Sequence, residues 1–132
     1  MLRKLTIFKY LALFYALLIF AVSAIPQLTP PFLGFKLEDK IWHFIEYGGF
    51  SFLLFLAFYT SRREFFKKYV FFLSSLIGIA YGFSDELHQK FVPGRSYDLY
   101  DFAADCLGIL LIQIGIWFYL KRKRNWSPNL DT

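Results

Sequence analysis

Four apolar runs, each about 20 residues long, constrain the fold of this chain more than any other feature. They cover roughly residues 5–25, 41–60, 69–89 and 97–120. A transmembrane α-helix needs about 20 apolar residues, because it rises about 1.5 Å per residue and must cross about 30 Å of hydrocarbon. The runs therefore predict an all-α integral membrane protein, built as a bundle of four transmembrane helices.

The composition supports a membrane protein without an attached soluble domain. The chain is 57% hydrophobic and 19% charged, whereas soluble domains average about 45–50% apolar and about 25% charged residues. We expect residues 1–124 to form one transmembrane domain, followed by a short cytoplasmic tail at 125–132. The basic start of the first run also fits a cleavable signal peptide, but its apolar stretch exceeds the usual core of about 7–15 residues, which favours a retained helix.

The charged residues predict the orientation of the bundle. Eleven of the fifteen Lys and Arg residues precede or open the first run, fill the connection after the second or follow the fourth. Eight of the ten acids lie toward the opposite side. Because short basic loops remain in the cytoplasm, both termini of this multi-pass protein are predicted to be cytoplasmic. The net charge of +5 then indicates an attraction to anionic lipid and not to nucleic acid.

Polar residues recur on shared helix faces within the apolar runs. Residues three, four or seven positions apart share a face of an α-helix, and such stripes are Asp39, His43 and Glu46; Tyr81, Asp85 and His88; and Asp98, Asp101 and Asp105. A charge at the centre of a membrane helix is disfavoured by about 2.5–3.5 kcal/mol, so these faces should point into the bundle. We expect them to converge in a pocket that opens to the outer face.

Two further local features are expected to shape the bundle. Ser96 follows the turn residues Pro93 and Gly94 and is a suitable N-cap for the fourth helix. Gly108 and Gly115, seven residues apart in that helix, predict close contact with a neighbouring helix.

Two segments that contain these stripes carry a family resemblance. "DKIWHFIEYGGF" (39–50) and "YGFSDELHQKFVPGRSYDLYDFAADCLG" (81–108) together resemble the VanZ-like family of small bacterial membrane proteins. The matching positions are Asp39, Lys40, His43, Phe44, Tyr47, Asp85, Glu86, Gln89, Pro93, Gly94, Arg95, Asp98, Asp101, Ala104, Asp105 and Gly108. The resemblance implies a polytopic protein of the bacterial inner membrane, and the namesake of the family is linked to teicoplanin resistance. It implies no settled mechanism. Glu46 departs from the family pattern.

The polar stripes and the resemblance define the candidate ligand-binding residues. These are Asp39, Lys40, His43, Tyr47, Asp85, Glu86, Gln89, Arg95, Asp98, Asp101 and Asp105. The favoured hypothesis is a pocket for an amphipathic ligand, either a lipid-linked cell-wall precursor or a lipoglycopeptide tail. In it Lys40 and Arg95 contact the headgroup.

Two alternatives remain open at this point. In a membrane hydrolase or transferase, His43 would be a general base, and Asp85, Glu86 or Asp105 would donate protons or ligate a metal. The sequence contains no metal-binding or nucleophile motif that assigns a cofactor or a reaction. The other alternative is a buried charge network that only fixes helix packing.

Overall fold

The chain folds into α-helices throughout the part that the structure describes. A computed structural model describes residues 2–26 and 37–125, and within these ranges there are five α-helices and no β-strand. The helices are α1 (Leu2–Ser23), α2 (Glu38–Tyr59), α3 (Glu64–Lys68), α4 (Val70–Gln89) and α5 (Leu99–Asn125). The predicted all-α class is therefore confirmed.

Three of these helices are long and apolar enough to cross a membrane. They are α2, α4 and the Leu99–Arg124 part of α5, while the apolar part of α1, Ile7–Ser23, is shorter. Large side chains such as Phe14, Phe72 and Phe118 are each more than half exposed. Soluble monomers rarely expose so much contiguous apolar surface, whereas contact with lipid requires it. The fold is thus that of a membrane protein with three evident spans, and the fourth span stays a prediction.

The helix boundaries follow the predicted runs with local differences. Helix α4 ends at residue 89 as predicted. Helix α2 begins at Glu38 instead of near residue 41, because Glu38 and Asp39 occupy its first turn, where the helix dipole favours negative charge. Helix α5 extends beyond residue 120, since the basic residues there lie in its last turn, where the dipole favours positive charge. The predicted tail lies outside the described residues from residue 126 onward.

The short helix α3 was not predicted. It lies in the basic connection between α2 and α4, where Lys67 donates to Glu64 over 3.0 Å.

Helix α2 lies at the centre of the bundle and packs against α1, α4 and α5. The buried apolar cluster contains Ala12, Ile19, Tyr47, Phe50, Leu54 and Ile109. The closest approach joins α2 to α5, where a Cβ added to Gly108 would lie 2.2 Å from the carbonyl oxygen of Phe44. Only glycine permits this contact, which confirms the prediction for residue 108. The same prediction was wrong for Gly115, because a Cβ there would meet nothing within 4 Å.

The opposite end of the α2–α5 pair is open. One groove of about 500 Å³ is lined by apolar and aromatic residues of α2 and α5, including Phe52, Gly115 and Tyr119. A second cavity of about 620 Å³ is lined by basic residues at the end of α5, including Lys121 and Arg124. Both share Tyr59 and Leu120 in their linings. Helix packing is therefore tight near Gly108 and loose toward the basic end.

Candidate functional site

The predicted polar residues meet at one end of the bundle. This end, which we call the polar end, contains the start of α2, the end of α4, the start of α5 and the loop between α4 and α5. Cross-helix contacts from Lys40 to Asp98 and from His43 to Asp105 bring these segments together. Two of the three predicted stripes, those of α2 and α5, thus supply neighbouring side chains. In the α4 stripe, Tyr81 instead donates to the carbonyl oxygen of Ala16 and His88 stacks on Phe20 of α1.

Lys40 joins three aspartates at the outer rim of this end. Its Nζ donates to Asp39 Oδ2 over 3.0 Å and to Asp98 Oδ2 over 2.8 Å, and it also donates to Asp101. The Lys40 hydrogen bond, together with backbone N–H groups of Tyr100 and Asp101, lowers the pKa of Asp98. The positive charge of Lys40 is therefore already compensated by carboxylates within the protein.

Asp98 also begins α5. Its Oδ1 accepts from the backbone N–H of Tyr100 over 2.8 Å, and its carbonyl oxygen accepts from Asp101 and Phe102. This is the geometry of an N-cap. The prediction that Ser96 caps the helix was wrong, because the helix begins two residues later than expected and the side chain of Asp98 reaches the free N–H first.

A buried group of one histidine and two carboxylates lies beneath the Lys40 cluster. Nδ1 of His43 is 2.9 Å from Asp105 Oδ1 and 4.0 Å from Glu86 Oε1, and Nε2 of His43 is 3.6 Å from Asp101 Oδ2. Glu86 and Asp105 are both fully buried. Each comes from a different helix, because His43 lies on α2, Glu86 on α4 and Asp105 on α5.

Two carboxylate oxygens of this group have no hydrogen-bond partner among the described residues. They are Glu86 Oε1 and Asp105 Oδ2. The other oxygen of Glu86 accepts from the backbone N–H of Asp98 over 3.2 Å. A buried acceptor without a partner is disfavoured, so a water molecule, a ligand donor or a cation beside these two oxygens would stabilise them.

Arg95 does not reach this group. Its Nε and Nη2 each donate over 3.2 Å to the carbonyl oxygens of Ile25 and Val22, at the end of α1, and its Nη1 lies 3.5 Å from Gln89 Oε1. Cations are favoured at the C-terminal end of a helix, where carbonyl groups lack intrahelical partners. The structure thus gives Arg95 a role in holding α1, which sequence reasoning missed because it depends on a helix distant along the chain.

Asp85 and Gln89 form a separate pair on α4, next to Arg95. Gln89 Nε2 donates to Asp85 Oδ2 over 3.2 Å, and both side chains are buried. Tyr47 is fully buried beside them, and a Cβ added to Gly82 would lie 3.3 Å both from its ring and from Asp105 Oδ2. Asp85 is therefore set apart from the other three catalytic candidates by its own partner.

Other hydrogen bonds fix α1 to the bundle and were not predicted. The hydroxyl of Tyr81 donates to the carbonyl oxygen of Ala16 over 2.5 Å, and that of Tyr15 donates to the carbonyl oxygen of Glu46 over 3.0 Å. The spacing of Glu46 predicts a place beside His43 on α2. The side chain of Glu46 forms no ion pair within 4 Å among the described residues.

The charge balance at the polar end favours a positive or hydroxyl-bearing ligand. Five carboxylates, those of Asp39, Glu86, Asp98, Asp101 and Asp105, surround one lysine and one histidine. Lys40 and Arg95, which were predicted from the sequence to contact the ligand headgroup, already have partners within the protein. The residue types still suit acid–base chemistry, because an imidazole held by a carboxylate is a common general base.

Comparison with known proteins identifies the family of this chain. The chain is 34% identical over 116 residues to a protein of Schizosaccharomyces pombe named "Uncharacterized protein C11E3.10", an alignment that covers 87% of this chain and 67% of the relative. No solved structure matches. A sequence profile described as VanZ/LLP1 matches residues 3–121, which include every helix residue of the polar end, and the chain therefore belongs to the VanZ/LLP1 family.

Proposed function

We propose that this protein is a four-helix membrane protein with cytoplasmic termini, in which residues 1–124 form a single domain and the polar end faces outward. The basic residues at the ends of α2, α3 and α5 support this orientation, because short basic loops stay in the cytoplasm. A bacterial inner-membrane location stays a prediction, since the relative described above comes from a fission yeast.

We further propose that the polar end binds the polar part of an amphipathic, lipid-linked ligand. The observation that carries this proposal is the pair of fully buried carboxylates, Glu86 and Asp105, each with an oxygen that lacks a partner among the described residues. A network that only held helices together would be expected to satisfy these oxygens internally. A bound sugar hydroxyl, amine or cation would supply the missing donor or charge.

The ligand class follows from location and charge. A site at the membrane face meets molecules whose tails lie in the bilayer, such as a lipid-linked cell-wall precursor or a lipoglycopeptide. Because Lys40 and Arg95 have partners, recognition of hydroxyl or amino groups by carboxylates is favoured over recognition of a phosphate. A role in teicoplanin resistance is part of this proposal and rests on the resemblance.

Native mass spectrometry of the protein in detergent micelles tests the binding proposal. We expect wild type to retain a lipid-linked species or added teicoplanin, and Glu86→Gln to retain less of it. Glu64→Gln is the matched control, because Glu64 lies in α3 away from the polar end. Equal retention by all three folded proteins would contradict the proposal and favour a structural network. Teicoplanin susceptibility of cells with and without the protein tests the resistance role.

A second candidate function is a membrane hydrolase or transferase that acts on such a ligand. The distance of 2.9 Å between His43 Nδ1 and Asp105 Oδ1 favours it, because this contact orients the imidazole for proton transfer. Turnover of a lipid-linked substrate by wild type, with loss in His43→Ala, would distinguish an enzyme from a binding protein.

A further inference from the structure

We propose that His43, Glu86 and Asp105 bind one divalent transition-metal ion, of the Zn²⁺ or Mn²⁺ class. This inference deepens the proposed function. It rests on that function in one respect, because the ion is taken to contact the polar part of the bound ligand. The ion itself is inferred from the geometry of the three side chains.

The separations between the three side chains suit a common ion. One ligand atom from each residue lies within 4.8 Å of the other two, with Nδ1 of His43 2.9 Å from Asp105 Oδ1 and 4.0 Å from Glu86 Oε1. Zinc binds nitrogen and carboxylate oxygen at about 2.0–2.2 Å, so two ligands of one ion lie about 3–4 Å apart. Small rotations of the carboxylates would therefore bring all three within bonding distance.

The unpartnered oxygens provide an independent reason to place an ion here. Glu86 Oε1 and Asp105 Oδ2 lack hydrogen-bond partners in the part of the chain that the structure describes, and both residues are fully buried. Gly82 lets Asp105 approach α4 closely, because a Cβ at that position would lie only 3.3 Å from Asp105 Oδ2. A divalent ion would compensate both carboxylates at once, which neither Lys40 nor Arg95 does.

The neighbouring group of Asp39, His43 and Asp101 is a weaker candidate. It also satisfies the distance criterion, but Lys40 donates to both of its aspartates and occupies the space with positive charge. Asp101 fits better as a positioning residue, since its Oδ2 approaches Nε2 of His43 at 3.6 Å. A carboxylate on the second nitrogen commonly orients a metal-bound histidine.

The donor set indicates which ions are favoured. One imidazole nitrogen and two carboxylate oxygens suit Zn²⁺ or Mn²⁺, whereas Mg²⁺ and Ca²⁺ prefer oxygen alone. Binding at Nδ1 requires the neutral imidazole, so any proton carried there is released as the metal binds.

Metal binding to the full-length protein in detergent tests this proposal. After chelator treatment and dialysis, Zn²⁺ or Mn²⁺ is titrated calorimetrically, and the bound ion is counted by inductively coupled plasma mass spectrometry. We expect one ion per chain, weaker binding of Mg²⁺ and Ca²⁺, and at least about tenfold weaker Zn²⁺ binding in Glu86→Gln and Asp105→Asn. Glu64→Gln should bind as wild type does. Circular dichroism establishes that each protein is folded.

Two results would overturn the proposal. One is a folded wild type that binds no Zn²⁺ or Mn²⁺ at stoichiometric level, and the other is unchanged affinity in folded Glu86→Gln. If a variant does not fold, the visible spectrum of Co²⁺-loaded wild type decides the matter. Co²⁺ bound by nitrogen and oxygen ligands has a spectrum that differs from that of hydrated Co²⁺. A wild-type spectrum identical to that of hydrated Co²⁺ would contradict the site. Ligand retention without metal binding would overturn the proposed metal site and leave the proposed ligand binding standing. Metal binding without ligand retention would overturn the proposed ligand binding and leave the metal site standing.

Discussion

The contact between Gly108 and Phe44 leads to a quantitative prediction about stability. A Cβ at residue 108 would lie 2.2 Å from the Phe44 carbonyl oxygen and 3.0 Å from its carbon. Since carbon and oxygen normally approach no closer than about 3.3 Å, Gly108→Ala must separate α2 from α5 by about 1 Å. Overpacking of this kind costs about 1–3 kcal/mol.

Gly115→Ala is the matched control for this substitution. Gly115 lies in the same helix, and a Cβ there would meet nothing within 4 Å. Both alanines gain the same helix propensity, about 0.5–1 kcal/mol, so the difference between the two variants reports the packing cost alone.

Unfolding in mixed micelles by increasing sodium dodecyl sulfate, followed by circular dichroism, measures both variants. We expect Gly108→Ala to be about 1–3 kcal/mol less stable than Gly115→Ala. Equal stability of the two would refute the close approach of α2 and α5.

Three further predictions concern the polar end. Arg95→Lys should lower the unfolding free energy by about 1.5–3 kcal/mol, because lysine cannot reproduce the guanidinium fork that binds two carbonyl oxygens at the end of α1. An unchanged unfolding free energy would show that Arg95 does not hold α1. The lowered pKa of Asp98 stabilises the fold above its unfolded pKa of about 3.9, and this stability is lost as the pH falls through the folded pKa. Between about pH 5 and about pH 3, a range around the unfolded pKa, the melting temperature of Asp98→Asn should therefore decrease less than that of wild type. Equal decreases in the two proteins would argue against the pairing of Asp98 with Lys40. Asp105→Leu should keep the helical circular dichroism but lose ligand retention in native mass spectrometry, since it leaves His43 beside an apolar side chain; full retention would exclude Asp105 from the site.

The sequence predicted the residues of the polar end better than their partners. Spacing alone placed His43, Asp101 and Asp105 on inward faces, and the structure brings them together because α2 and α5 pack closely at Gly108. The same spacing put Glu46 on the face of His43, but Glu46 has no ion-pair partner within 4 Å in the described ranges.

Partners that depend on tertiary placement could not be read from the sequence. The contact of Arg95 with the end of α1 joins residues 70 or more positions apart, and no local pattern encodes it. The cap of α5 was a choice between Ser96 and Asp98, two residues with similar capping preference, and the course of the preceding loop decided it. Gly115 has the residue type expected for a helix contact, but α2 and α5 have already separated at its depth.

The apolar groove beside Gly115 has a consequence for the surrounding bilayer. Space that the helices leave unfilled at the basic end is available to acyl chains, whereas the closely packed polar end excludes them. With the orientation proposed above, the protein would displace less lipid from the cytoplasmic leaflet than from the outer one.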